Sequence, residues 1–98
     1  MVLVNGLQTD LLNVHDRGLA YGDGVFRTLL VSRGRALCWQ RHYQKLQTDC
    51  QALGLSCPSY SVLCQEIDQI TAANPESVLK IIITRGAGPR GYRVSADV

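Results

Sequence analysis

Long apolar runs are missing from this chain of 98 residues. No stretch approaches the ~18 apolar residues that a membrane-spanning helix requires. Met1-Val-Leu-Val-Asn-Gly6 also lacks the charged leader and apolar segment of a secretory signal, so a cytoplasmic protein is expected. Charge of one sign is scarce as well. Ten basic against eight acidic side chains leave a net charge of +2, too little for the strongly basic face of a nucleic-acid binder. With one tryptophan and one phenylalanine, no aromatic ladder interleaves the basic residues as base stacking would require. Lysine is rare: only Lys45 and Lys80 are present. The four cysteines at 38, 50, 57 and 64 include no Cys-x-x-Cys pair, and His15 and His42 do not fall at finger-like spacing. Buried, reduced thiols acting as small hydrophobes are therefore expected, not a zinc site or a disulfide framework.

What is present is the composition of a folded domain. Hydrophobic residues make up 46% and charged residues 18%, which argues against disorder. Ninety-eight residues fit one domain, near the lower end of independent stability. Val2 to Gln8 reads as a tight hairpin, with Asn5-Gly6 supplying the positive φ angles of a type I′ turn. A turn-rich stretch from 14 to 24, with a helical turn around Asp16 to Tyr21, precedes a strand from Val25 to Ser32. Arg33-Gly34 turns that strand into a second one, Arg35 to Trp39.

From Gln40 to Leu53 the period becomes helical, with His42, Leu46, Cys50 and Leu53 on one stripe and Gly54 as the terminating residue. A second helix begins near Pro58-Ser59, buries Leu63, Ile67 and Ile70, and ends at Asn74-Pro75. Val78 to Thr84 is an apolar strand interrupted by Lys80, which shares a face with Val78 and Ile82. The expected fold is α+β, a two-layer sandwich with two helices on one face of a largely antiparallel sheet.

Two clusters carry the candidate chemistry. The first is Asp16-Arg-Gly-Leu-Ala-Tyr-Gly-Asp-Gly-Val-Phe-Arg-Thr28; the second is Arg85-Gly-Ala-Gly-Pro-Arg-Gly-Tyr92. Glycines at such turns supply conformations that other residues avoid. Asp16 and Arg17 read first as holders of loop backbone. Asp16 and Asp23 are also a conceivable acid–base pair, although the loop between them fixes no particular separation. The basic second loop suits an anion of any kind.

Together the two clusters resemble the signature of the fold-type IV enzymes that use pyridoxal 5'-phosphate, a family with branched-chain and D-amino-acid aminotransferases. Within it the chain is most similar to the N-terminal domain of the aminodeoxychorismate lyase branch. The resemblance implies that residues 1–98 are an N-terminal domain, with the catalytic second domain, its cofactor-bearing lysine and the glutamate facing the pyridine nitrogen outside this chain. It implies a homodimer with the first cluster near the cofactor pocket, and no catalytic residue within these 98. His42-Tyr-Gln-Lys-Leu46 resembles the family's His-x-x-Arg-Leu motif, whose arginine binds the cofactor phosphate. Lys45 stands there, a point charge where relatives have a planar fork; the alternative is a solvated helix lysine. Arg90 and Tyr92 match positions that trap a substrate carboxylate, which suits a dicarboxylate substrate, against the alternative of a structural loop. Phe26 matches a position where the aminotransferases often carry a tyrosine reaching toward substrate, whereas Lys80 is expected to face away from the pocket. The implied activity is conversion of 4-amino-4-deoxychorismate to 4-aminobenzoate and pyruvate. The rival readings are an aminotransferase of the same fold and a non-catalytic anion-binding or interaction module.

Overall fold

The computed structural model describes residues 1–87. It begins with a hairpin, β1 (Leu3–Val4) against β2 (Leu7–Gln8). Asn5 and Gly6 both have positive φ, 51° and 82°, as the type I′ turn requires. A five-residue helix, α1 (Arg17–Tyr21), leads into the long strand β3 (Gly24–Ser32). Arg33 and Gly34, again both at positive φ, fold β3 back onto β4, which covers only Arg35–Ala36. The expectation that this strand reaches Trp39 is corrected. Cys38 adopts a left-handed conformation and α2 (Trp39–Leu53) starts directly after it.

Helix α2 ends as its sequence implies. Gly54 is left-handed, its N–H donates to Gln51 O at 3.1 Å, and Leu55 N–H donates to Cys50 O at 2.8 Å. That pair of bonds is the Schellman arrangement, and Leu55 and Cys50 pack together beneath it. Helix α3 (Tyr60–Ala73) is capped by Ser59, whose hydroxyl accepts Val62 N–H. Asn74 closes it, with its backbone and side-chain amides both donating to Ile70 O. Strand β5 (Ser77–Thr84) then runs antiparallel to β3, giving a three-stranded sheet in the order β4-β3-β5.

Alternation decides which face is which. Leu29 and Val31 of β3, with Leu79 and Ile83 of β5, are buried beneath the two helices. One cluster joins Tyr43, Leu46 and Cys50 of α2 to Leu55, Leu63 and Ile83. The other joins Ile67 of α3 to Leu29, Val31 and Leu79, and Trp39 and Ile81 pack against both. This is the expected α+β sandwich, with α2 and α3 on one sheet face and α1 as the short helical turn.

Three details differ from the sequence reading. Tyr43, not His42, takes the inward position on α2, and Leu53 is exposed. Leu46 and Cys50 of the expected stripe are buried, and Tyr43 joins them in place of His42, a rotation that a 3.6-residue period tolerates easily. On α3, Thr71 is buried while Ile70 is half-buried. All four thiols are free, but only Cys50 is deeply buried: Cys57 and Cys64 are half-buried and Cys38 is exposed.

Candidate cofactor and substrate site

The two glycine-rich clusters, about seventy residues apart in sequence, are tied into one structure. Asp16, 7% exposed, caps α1: its Oδ1 accepts the N–H groups of Gly18 at 2.8 Å and Leu19 at 3.3 Å. Its Oδ2 accepts the Thr84 hydroxyl at 2.9 Å, and that hydroxyl accepts Gly86 N–H at 3.0 Å. Arg17 N–H donates to Gly86 O at 2.8 Å, and an antiparallel bridge pairs Asp16 with Ala87. Two glycines make this closeness possible. A Cβ on Gly18 would run into the Thr84 side chain, and one on Gly24 would lie 2.5 Å from Ile83 O.

A second carboxylate binds the same region from below. Asp23 Oδ2 accepts Arg85 Nε at 2.8 Å and Arg17 Nε at 3.1 Å. Arg85 also donates through Nη2 to Leu53 O at 2.6 Å and through Nη1 to Gly54 O at 3.2 Å. One guanidinium thus joins the C-terminal turn of α2 to the Asp23 loop, and Arg17 lies over the Tyr21 ring at 4.8 Å. The Arg85 hydrogen bond, followed by Arg17, holds the Asp23 carboxyl below its ordinary range despite its partial burial. The two carboxylates thus have different partners: Asp16 holds the α1 backbone and the Thr84 hydroxyl, whereas Asp23 holds two guanidinium side chains.

Two further candidate side chains, His42 and Lys45, stand on α2. His42 Nδ1 accepts from Arg27 Nε at 3.1 Å and lies 3.0 Å from its Nη2. Burial first, then Arg27 and Arg41, lower the imidazole pKa below its ordinary 6.5, so His42 is neutral at pH 7. Sequence reasoning missed Arg27 as a partner. Its signal was an arginine on the inward face of β3, between Val25 and Leu29. Lys45, one turn beyond His42, pairs with Asp49 at 3.0 Å, its side chain 56% exposed.

Phe26 and Lys80 come together on the outer sheet face, with Lys80 Nζ 4.8 Å from the ring centroid. The register places Thr28 opposite Lys80 and Phe26 opposite Ile82. Both therefore project from the same side of the sheet. Arg90 and Tyr92 lie outside the described residues. Among the described residues no group of His, Cys, Asp and Glu has the geometry of a metal site, and no helix is long and apolar enough to cross a membrane.

The fold defines a small α+β domain in which the first glycine-rich segment is tied to the start of the second. Residues 24–98 match the amino-transferase class IV family, and the chain belongs to it. It is 32% identical over 95 residues to the aminodeoxychorismate lyase of Vibrio harveyi, covering 97% of this chain and 35% of that protein. The solved 4-amino-4-deoxychorismate lyase of Pseudomonas aeruginosa superposes with a TM-score of 0.79 at 41% identity, over 89% of this chain and 33% of that one. A hypothetical aminotransferase from Mycobacterium tuberculosis, in its PLP-bound form, superposes with a TM-score of 0.75 at 30% identity, over 89% of this chain and 32% of that one. The chain thus spans about a third of the length of these relatives.

Proposed function

We propose that these residues are the N-terminal domain of a pyridoxal-phosphate-dependent lyase converting 4-amino-4-deoxychorismate to 4-aminobenzoate and pyruvate, a step of folate synthesis. The observation that carries this reading is the joint sequence and backbone likeness to the Pseudomonas aeruginosa lyase. The proposal extends to a cytoplasmic homodimer acting on a small dicarboxylate, with the cofactor-bearing lysine outside these 98 residues.

The side chains on hand fit the cofactor's phosphate. Lys45 is cationic, exposed, and held only by an i,i+4 pair with Asp49, a surface interaction of roughly 0.3–0.5 kcal/mol. Exchanging Asp49 for a phosphate dianion therefore costs little. When bound, pyridoxal phosphate supplies an electron sink. This chain supplies position and charge. Lys45 neutralises the phosphate, while Arg90 and Tyr92 hold a substrate carboxylate through a guanidinium fork and a phenolic hydroxyl. The Asp16–Thr84–Gly86 tie fixes the backbone at Gly86, four residues before Arg90 in the sequence. Such positioning is worth several kcal/mol of barrier when reacting groups are held in register.

The second reading is an aminotransferase of the same fold, favoured by the likeness to the Mycobacterium tuberculosis aminotransferase. One assay separates them. The native protein, supplied with pyridoxal phosphate and 4-amino-4-deoxychorismate, releases pyruvate and 4-aminobenzoate in equal amounts under the lyase reading. Glutamate formed from 2-oxoglutarate and an amino donor, with no pyruvate from aminodeoxychorismate, would establish the aminotransferase instead.

A further inference from the structure

Arg27 is a half-buried cation whose partner carries no charge. It stands on the helix-facing side of β3, between Val25 and Leu29. Among the described residues it makes no ion pair: Asp23 goes to Arg17 and Arg85, and Asp49 goes to Lys45. Arg27 meets an imidazole instead. Its Nε donates to His42 Nδ1 at 3.1 Å, and its Nη2 lies 3.0 Å from the same nitrogen. A charge partly drawn out of water without an opposite charge is costly, so this arrangement calls for an anion nearby.

The same contact decides the state of the ring. A guanidinium only donates, so Nδ1 must offer its lone pair and the ring proton sits on Nε2. Among the described residues that Nε2–H has no partner, and it is not enclosed. His42, Lys45 and Asp49 follow one another at spacings of three and four residues, along one flank of α2. The accessible N–H of His42 thus stands one turn before the ammonium of Lys45, which is held only by its exposed pair with Asp49. Arg41 adds a further positive charge to the surroundings of the ring.

We propose, on the basis of the pyridoxal-phosphate function above, that His42 is a second ligand of the phosphate beside Lys45, with Arg27 as its positioning residue. Arg27 keeps the imidazole in the tautomer that donates from Nε2 and places a fixed charge behind it. A phosphate monoester dianion is the matching ligand, because its oxygens accept from an imidazole N–H and an ammonium at once. Lys45 alone is a point charge and fixes no orientation; the N–H of His42 supplies a second, directional contact. Binding releases Asp49 from Lys45 and brings the negative charge that Arg27 lacks.

The test compares pyridoxal phosphate with pyridoxal, which lacks the phosphate, by equilibrium dialysis against the native protein and its variants. His42→Leu should weaken retention of pyridoxal phosphate roughly 10–100-fold, the worth of one hydrogen bond to a charged group. Arg27→Met should weaken it roughly 3–10-fold through the lost charge. Neither should change retention of pyridoxal, and His42→Gln and Arg27→Lys, which keep the donors, should recover most of the loss. A merely structural role would weaken both ligands equally. A proton–nitrogen correlation spectrum of the native protein reads the ring without any substitution. The His42 proton is expected on Nε2, and that nitrogen's resonance should move when pyridoxal phosphate or inorganic phosphate is added. A proton on Nδ1, an Nε2 resonance indifferent to phosphate, equal losses for both ligands, or a native protein that retains neither ligand overturns the proposal. The expected pattern without release of pyruvate from 4-amino-4-deoxychorismate would instead sink the lyase function and leave the phosphate seat standing.

Discussion

Replacing Asp23 with asparagine removes the one charge that two arginines share. Asp23 Oδ2 receives Arg85 Nε at 2.8 Å and Arg17 Nε at 3.1 Å, with all three side chains 14–19% exposed. A hydrogen bond to a charged group contributes roughly 1.5–3 kcal/mol, and breaking a buried pair costs about 3–5 kcal/mol. Partial exposure and the amide that replaces the carboxylate reduce that figure. A loss of about 2–4 kcal/mol is expected, since Arg85 keeps its bonds to Leu53 O and Gly54 O. For a domain of this size, each kcal/mol moves Tm by roughly 4–8 °C, so the midpoint falls by about 8–32 °C. Urea unfolding of Asp23→Asn, Arg85→Ala and the double variant measures the pair directly. The coupling should lie within about 1–3 kcal/mol. A single-variant cost below about 0.5 kcal/mol, or strict additivity, would refute the view that Asp23 joins the loops. The sign of the pH dependence is also fixed. Asp23 has a folded pKa below its ordinary 3.8, so its contribution is complete above that value. It fades as pH falls through the folded pKa, and Asp23→Asn lacks that acid-sensitive part.

Gly18→Ala should cost roughly 1–3 kcal/mol in urea unfolding, because the new methyl meets Thr84, and Thr84→Ser should recover part of the loss by removing the obstructing methyl. Leu46→Ala, at a fully buried position between α2 and the sheet, should cost about 2–5 kcal/mol. His42 has a folded pKa below its ordinary 6.5. The unfolded chain therefore binds more protons as pH drops through 6.5, and stability declines there. His42→Gln should flatten that limb of a stability–pH curve measured between pH 5 and 8. Lys45→Ala should leave stability within about 0.5 kcal/mol yet weaken pyridoxal-phosphate binding by the native protein, and Lys45→Arg should restore it.

Local physics made most of the fold legible before any coordinates. Asn5-Gly6 and Arg33-Gly34 announce hairpins because few residue pairs accept positive φ twice. Gly54 and Asn74-Pro75 end helices for equally local reasons. The alternation of Val78, Lys80 and Ile82 fixes the outer face of β5. Long-range pairings were not legible. Nothing near Asp23 in the sequence names Arg85, 62 residues away, and nothing near Arg27 names His42 on another element. On α2 Leu46 and Cys50 were legible, whereas Tyr43 in place of His42 was not, because both side chains are amphipathic. Burial of Tyr43 is decided by its hydroxyl reaching Pro58 O and its ring meeting Trp39 and Tyr60. Of the site, the two glycine-rich segments were found from sequence, whereas the Asp16–Thr84–Gly86 relay that fuses them required the fold.

The central claim is that these residues position a cofactor whose covalent attachment lies elsewhere. Borohydride reduction of the native protein with bound pyridoxal phosphate, followed by peptide mapping, tests it most directly. The account predicts a reduced cofactor on neither Lys45 nor Lys80, together with weaker cofactor retention in Lys45→Ala. A stoichiometric adduct on Lys80 or Lys45 in a preparation that releases pyruvate from 4-amino-4-deoxychorismate would contradict it.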